Sequence, residues 1–299
     1  MKRDPRCSIY YWDKWSNYTR SSIEEKWREI NIPGDRDYLP QYVYGLFKDY
    51  YEEIIMWYSR GDAVKELGQY FERMLDAWEL SEKLGKDVWS DDTQYTRHAW
   101  EVNLDHYIRC FWLTGLALAL DISENLWQRL VVLMGNEGQD ALLDQVIASR
   151  QKNRKIGEHL CFPKAYKNLY QVTQASQEKQ PVLLHQYLQE WLPSLENAGS
   201  KRFPKDFRTP YWWAMCIDET RGLEGGYFGC WCIEAAAVVK AFKIDDTLCL
   251  DHPYYPGDLI QDGRSPRYPD VPSPYEPPRE EEQDKSTKQG FFSRLFKKR

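Results

Sequence analysis

Five histidines, seven cysteines and an excess of carboxylates are the side chains of this 299-residue sequence that could do chemistry. His98 and His106 are eight residues apart and can share a helix face, but no carboxylate pair completes a metal or general-base constellation around them. His159, His185 and His252 stand alone, and a lone histidine is read as structural. Cys230-Trp231-Cys232 is not a zinc-ligand spacing, and no second cysteine pair completes a site. Neither Gly-rich phosphate-loop pattern occurs, nor does a nucleophile elbow, and Gly222-Leu223-Glu224-Gly225-Gly226 reads as a turn. No metal, cofactor or catalytic residue is expected.

The carboxylates cluster in pairs: Glu24/Glu25, Glu52/Glu53, Asp91/Asp92, Asp218/Glu219 and Asp245/Asp246. Solvated helix faces and N-caps are the plain reading for most of them. The later group differs, because Asp218, Glu219, Glu224, Asp245, Asp246 and Asp251 stand among aromatic-rich turns that flank one short apolar helix, with Tyr227 at its start. Carboxylates mixed with Tyr and Trp suit docking by a basic partner, the charges steering the encounter and the rings anchoring it. A purely structural role for this group is the alternative.

Positioning such a patch falls to helices. Spacings of three and four residues run from Tyr42 through Leu46 and Tyr50 to Trp57, and Gly61 marks a stop. A second helix is predicted from Asp62, with Val64, Leu67, Phe71, Met74, Leu75 and Trp78 as its buried stripe, ending at Gly85. Thr93 to Leu120 reads as one long helix, apolar all round in its second half and therefore central. Ser123 caps the next helix, which stops at Gly135; further helices fit 137–150, 163–176, 181–195 and Tyr227–Phe242. Alternating runs with hairpin dipeptides are nearly absent. The expected fold is all-α: a multi-helix bundle of two packed helical halves, residues 1–155 and 156–262, followed by a disordered tail, 263–299. A faint echo pairs Tyr107, Cys110, Leu113 and Ala117 with Tyr227, Cys230, Ile233 and Ala237, 120 residues later.

Forty Lys+Arg against 46 Asp+Glu give a net charge of −6, and the nine basic and six acidic residues of 263–299 leave −9 on the remainder. Such a body repels a phosphate backbone, so direct nucleic-acid binding is not expected. The N-terminus lacks the apolar run of a secretory signal, and Cys110–Leu120 is far short of the ~20 residues that cross a bilayer. A cytoplasmic location follows, in which Cys110, Cys216 and Cys249 are read as small buried hydrophobes.

From Tyr227-Phe228-Gly229-Cys230-Trp231-Cys232-Ile233-Glu234-Ala235-Ala236-Ala237, through Ile244-Asp245-Asp246, to Tyr254-Tyr255-Pro256-Gly257-Asp258-Leu259, the sequence resembles the PoNe immunity protein family, PoNi-type. The helix end Tyr58-Ser59-Arg60-Gly61 is similar to the family's N-terminal half, so the resemblance covers residues 40 to 260. Cys230 stands where an aromatic is usual, and the tail after 262 has no place in the pattern. The resemblance implies an all-α, cofactor-free antidote that binds a polymorphic antibacterial DNase toxin and blocks it stoichiometrically. Under it, Trp231 is core, and Glu234 is a buried carboxylate paired with a Tyr or Arg or else part of the binding face, the former preferred. Tyr254, Tyr255, Pro256 and Asp258 lock the last loop onto the bundle.

Gly290-Phe291-Phe292 to Lys297-Lys298-Arg299 forms a basic amphipathic ending, suited to weak contact with an anionic membrane surface or serving only solubility. Two competing functions remain at this stage. One is an enzyme using Glu234, Asp245 and Asp251 around a metal. The other is a helical scaffold for a different basic partner. Oligomeric state is not encoded legibly.

Overall fold

The computed structural model describes residues 1–276 except Pro33. Eleven α-helices and no strand occur among the described residues, and the only β-type pairing there is an isolated bridge between Lys2 and Tyr268. Helix α1 spans Ile9–Glu29, α2 Leu39–Arg60, α3 Phe71–Gly85 and α6 Glu124–Met134; α2 packs against α1 and α3, and α3 against α6. Helices α8 (Pro163–Gln174) and α10 (Trp213–Ile217) pack against α9 (Gln180–Leu195) in a second group. Between them lie α5 (Leu104–Ala119) and α11 (Ile233–Phe242), packed on each other where Gly115 has no side chain: a Cβ there would press on Ile233 and Ala237. One apolar cluster runs through both groups, from Cys7 to Leu259.

The caps explain where helices begin and end. Ser8 and Ser123 each accept a backbone N–H from the first turn of α1 and α6. Gly61, at φ 109°, closes α2 by donating to the carbonyls of Trp57 and Tyr58, and the Met1 carbonyl occupies the space that a Cβ would need.

Five expectations need correction. The helix expected from Asp62 opens as a 3-10 segment, Val64–Tyr70, and is α-helical only in α3, from Phe71 to Gly85. Thr93–Leu120 is two helices, α4 (Asp91–His98) and α5, because Asn103 accepts the His106 N–H at 3.0 Å and donates to the Arg97 carbonyl at 3.1 Å, starting a new helix. The 137–150 stretch is helical only at α7, Leu143–Ala148. Here Asp140 is buried and accepts from the hydroxyl of Tyr107 and the N–H groups of Leu142, Leu143 and Cys161, beside a buried Asp144–Arg154 ion pair at 2.7 Å. Residues 227–232 are irregular and not helical, and α11 starts only at Ile233, because the Cys232 N–H is taken by the Tyr254 carbonyl at 2.8 Å. Tyr107 thus lies in a helix and Tyr227 does not. Finally, residues 263–276 are not a free tail: Tyr268 exchanges backbone hydrogen bonds with Lys2 at 3.0 and 2.8 Å, and Glu276 Oε2 accepts from the Ser8 hydroxyl at 2.6 Å. The amphipathic 290–299 segment lies outside the described residues.

The N-terminal strand-like segment holds these pieces together. Arg3 and Asp258 are both enclosed and pair at 2.5 Å; Arg267 joins Asp258 at 2.6 Å. Arg3 also donates to the carbonyls of Tyr58 (2.9 Å) and Asp62 (2.7 Å). Burial pushes the Asp258 carboxyl up, but the Ser265 N–H and the guanidinium groups of Arg3 and Arg267 outweigh it and hold Asp258 below the usual carboxylate range. Replacing one member of a buried pair strands the other, so Arg3→Gln is expected to cost about 3 kcal/mol in urea unfolding at pH 7. A depressed carboxylate stabilises the fold above its unfolded pKa of about 3.9 and loses that contribution as pH falls below it, so the gap between variant and wild type should close in acid. A loss under about 0.5 kcal/mol, typical of an exposed position, would contradict the role given to this pair.

Candidate partner-binding face

The segment from Tyr211 to Leu259 carries the residues singled out by the sequence. Its entry is pinned by indoles: Trp212 stacks on Trp191 of α9 at 5.9 Å and packs against Trp112 of α5 at 5.0 Å, while Trp213 donates to the Leu192 carbonyl at 2.7 Å. α10 follows, and then a turn whose shape is imposed from the far N-terminus. Arg6 donates to the carbonyls of Met215, Asp218 (2.6 Å) and Arg221 (3.1 Å), with its guanidinium 4.1 Å from the Tyr227 ring centroid. Cys216 of α10 is joined by a disulfide to Cys230, with Cα atoms 5.8 Å apart, which corrects the reading of Cys216 as a free buried thiol. Cys7, Cys110, Cys161, Cys232 and Cys249 are unpaired.

Two turns have the same chemistry. Asp218 accepts from the Thr220 N–H (2.9 Å) and hydroxyl (2.7 Å); Asp245 accepts from the Thr247 N–H (3.0 Å) and hydroxyl (2.6 Å). In each case the threonine donors hold the aspartate below its ordinary pKa, so the carboxylate stays charged. Glu219, Glu224, Asp245 and Asp251 are exposed and Asp218 is half-exposed, with the apolar side chains of Ile217 (52% exposed) and Leu248 (55%) presented beside these turns. Tyr254 is electrostatically coupled to both Arg6 and Glu219, and it packs on Trp191 at 5.5 Å; this places the 252–254 loop next to the 218–221 turn.

Two residues expected at the face turn inward. Tyr227 is buried and donates to Asp4 at 2.6 Å, and burial pushes the Asp4 carboxyl up. Asp246 is buried and accepts from Tyr255 (2.6 Å) while pairing with Arg264 (2.6 Å). Both are committed to internal contacts. The sequence pointed at them because they adjoin exposed acids, whereas Arg6, which shapes the turn, carried no local signal.

The motif residues sit beneath the face. Trp231 packs edge-on against Tyr58 at 5.0 Å and donates to the Ser59 hydroxyl at 2.8 Å. Gly229, at φ 116°, is needed there because a Cβ would collide with that hydroxyl and with the Trp231 indole. Tyr255, Pro256 and Asp258 are buried, and Tyr254 is half-buried. Glu234 is fully enclosed: Tyr166 donates to its Oε1 at 3.1 Å, and Oε2 has no partner. Asp245 and Asp251 are at the surface, so the structure does not bring them together with Glu234 around a metal. No group of three or more His, Cys, Asp or Glu side chains suited to a metal ion occurs among the described residues.

Burial pushes Glu234 up to about 7, against donors such as Tyr166 that favour the charged form. The folded chain therefore keeps a proton that the unfolded chain releases near pH 4.3, and stability falls as pH rises from there to about 7. Glu234→Gln removes that titration. It is expected to match wild type at pH 4 and exceed it by on the order of 3 kcal/mol at pH 8, read by denaturant melts at both pH values. Equal stability at pH 8 would mean that Glu234 ionises normally.

The family model for the N-terminal region of PoNe immunity proteins (PoNi) matches residues 3–132, and the model for their C-terminal region matches residues 138–259. No curated protein matches the chain. Among solved structures, protein PA2201 from Pseudomonas aeruginosa is similar, with a TM-score of 0.61 and 18% identity over 88% of this chain and 92% of that one. At that identity the likeness is one of fold.

Proposed function

The chain belongs to the PoNe immunity protein family, matched across both its halves, and on that premise we propose that it is an immunity protein that binds and stoichiometrically inhibits a cognate antibacterial DNase toxin. The observation that carries this reading is the family match through both regions. The surface chemistry supports it. A DNase needs positive surface to hold a phosphate backbone, and an acidic protein competes for that surface. Asp218, Glu219, Glu224, Asp245 and Asp251 supply outward carboxylates, and Ile217 and Leu248 supply apolar area beside them. Tyr227 and Asp246 act from behind, holding the turns that carry the exposed acids. Inhibition by occlusion uses no catalytic residue and no cofactor.

The proposed compartment is the cytoplasm, because the toxin's substrate is there; no helix among the described residues is long and apolar enough to cross a membrane. The Cys216–Cys230 disulfide is the one feature that points the other way, since such bonds are rare where thiols are kept reduced.

Growth rescue tests the reading. A candidate cognate DNase toxin is expressed in a sensitive bacterium, with or without this chain. Wild type is expected to restore growth, and the combined Asp218→Lys, Glu219→Lys and Asp245→Lys variant, still folded by circular dichroism, is expected to lose most of it. Steering alone contributes on the order of tenfold or more in association rate. Full rescue by the variant would remove the acidic face and leave the family reading; failure of wild type, soluble and co-expressed with an active nuclease, would remove the reading itself.

A further inference from the structure

Away from the acidic face, α1, α2 and the start of α3 enclose a cavity of about 430 Å³. Arg20, Arg28 and Arg73 line it together with Trp27, Tyr50 and Tyr70, and Glu24 is the one acid among the lining residues. In a chain of net charge −6 this is a local concentration of positive charge. Arg20, Glu24 and Arg28 recur every four residues and so share one face of α1, where Ile23 and Trp27 turn toward the cavity.

The arginines there are poorly satisfied. Arg28 has only an Nε hydrogen bond to the Glu24 carbonyl at 3.3 Å. Arg73 lies over the Trp27 ring at 5.2 Å and reaches Asp76 at 3.7 Å, with 63% of its side chain exposed. Arg20 Nη2 donates to Asn17 Oδ1, whereas its Nε is buried without a hydrogen-bond partner, 3.9 Å from the nearest carboxylate oxygen, on Glu53. The aromatic floor is held rigidly. Trp27 donates to the Tyr50 hydroxyl at 2.8 Å, leaving that O–H to donate outward, and Tyr50 packs on Tyr70 at 5.7 Å.

We propose that this pocket is a second protein-docking site, receiving a partner segment in which a carboxylate stands beside an apolar side chain. The proposal rests on the reading that the chain works by binding a protein. Trp, Tyr and Arg are the three residue types most enriched in interface hot spots, and here they meet in one concavity. Guanidinium forks match a carboxylate in two parallel hydrogen bonds, and the rings cover the apolar neighbour. Three guanidinium groups against one carboxylate in a single concavity suit one acidic side chain; an extended polyanion would need a continuous basic track. Two patches of opposite sign, this pocket and the acidic face, also fix the orientation of a partner and reject others.

The test is the affinity of the full chain for a catalytically inactive form of the DNase toxin it neutralises in the growth assay, measured by calorimetry. The variants are Arg28→Glu with Arg73→Glu, Arg28→Lys with Arg73→Lys, and Trp27→Leu alone. The double reversal is expected to weaken binding about tenfold or more, and the lysine pair, which keeps the charge but loses the planar fork, to fall between it and wild type. Trp27→Leu changes no charge, so an about tenfold loss there separates docking from the long-range field. Both arginines are exposed, and matched thermal melts confirm that the fold is kept. Reversal and Trp27→Leu variants that bind within about twofold of wild type overturn the pocket and leave the family reading standing. A wild-type chain that does not bind the toxin overturns both.

Discussion

Arg3 lies five residues ahead of the first capping serine, and its guanidinium has no access to water. A cation so placed must be met by a carboxylate and by carbonyls, and the groups that meet it come from distant parts of the chain: Asp258, Asp262, and the carbonyls of Tyr58 and Asp62. The end of α2, the loop closing the C-terminal half and the following 263–268 stretch are thereby brought to one point. Its neighbours extend the pattern. Lys2 donates to the Cys7 and Val271 carbonyls, Asp4 accepts from Tyr227, and Arg6 grips the turn that presents Asp218 and Glu219. The first six residues therefore act as an internal strap, and the acidic turn depends on it although nothing in that turn's own sequence says so.

This arrangement separates two tasks. The family motif is spent on interior contacts: Trp231 on Tyr58 and Ser59, Glu234 on Tyr166, Tyr255 on Asp246, and Asp258 on Arg3. The outward residues lie between these anchors, in turns such as Asp218-Glu219-Thr220 and Asp245-Asp246-Thr247, where each first aspartate is bonded to its own threonine. Exposed residues can vary without disturbing the anchors, which is the arrangement that discriminating among related partners requires.

Local signals were legible and long-range ones were not. Gly61, Gly85, Ser123 and Gly135 were readable as helix boundaries because capping is chemistry between near neighbours. The break at 99–103 also has a local signal: Asn103 before Leu104-Asp105 is an N-cap pattern, masked by the apolar residues that continue through it. By contrast, Lys2, Arg3 and Asp4 look like a solvated terminus, and 263–276 looks like a linker, until each is seen to satisfy the other. The Cys216–Cys230 pairing and the inward turn of Tyr227 and Asp246 are equally invisible without the fold. The acids that do face outward could be named from sequence; which of their neighbours support them could not.

Stoichiometric inhibition is the claim on which the functional reading stands. Its most direct measurement is plasmid cleavage by a fixed amount of the purified toxin, titrated with purified full-length protein. Blocking by tight complex formation requires cleavage to fall linearly and vanish near equimolar protein. Cleavage that persists at a large excess of this chain, or that stops at amounts far below the toxin's, would contradict it: the first outcome denies inhibition and the second requires a catalytic antidote.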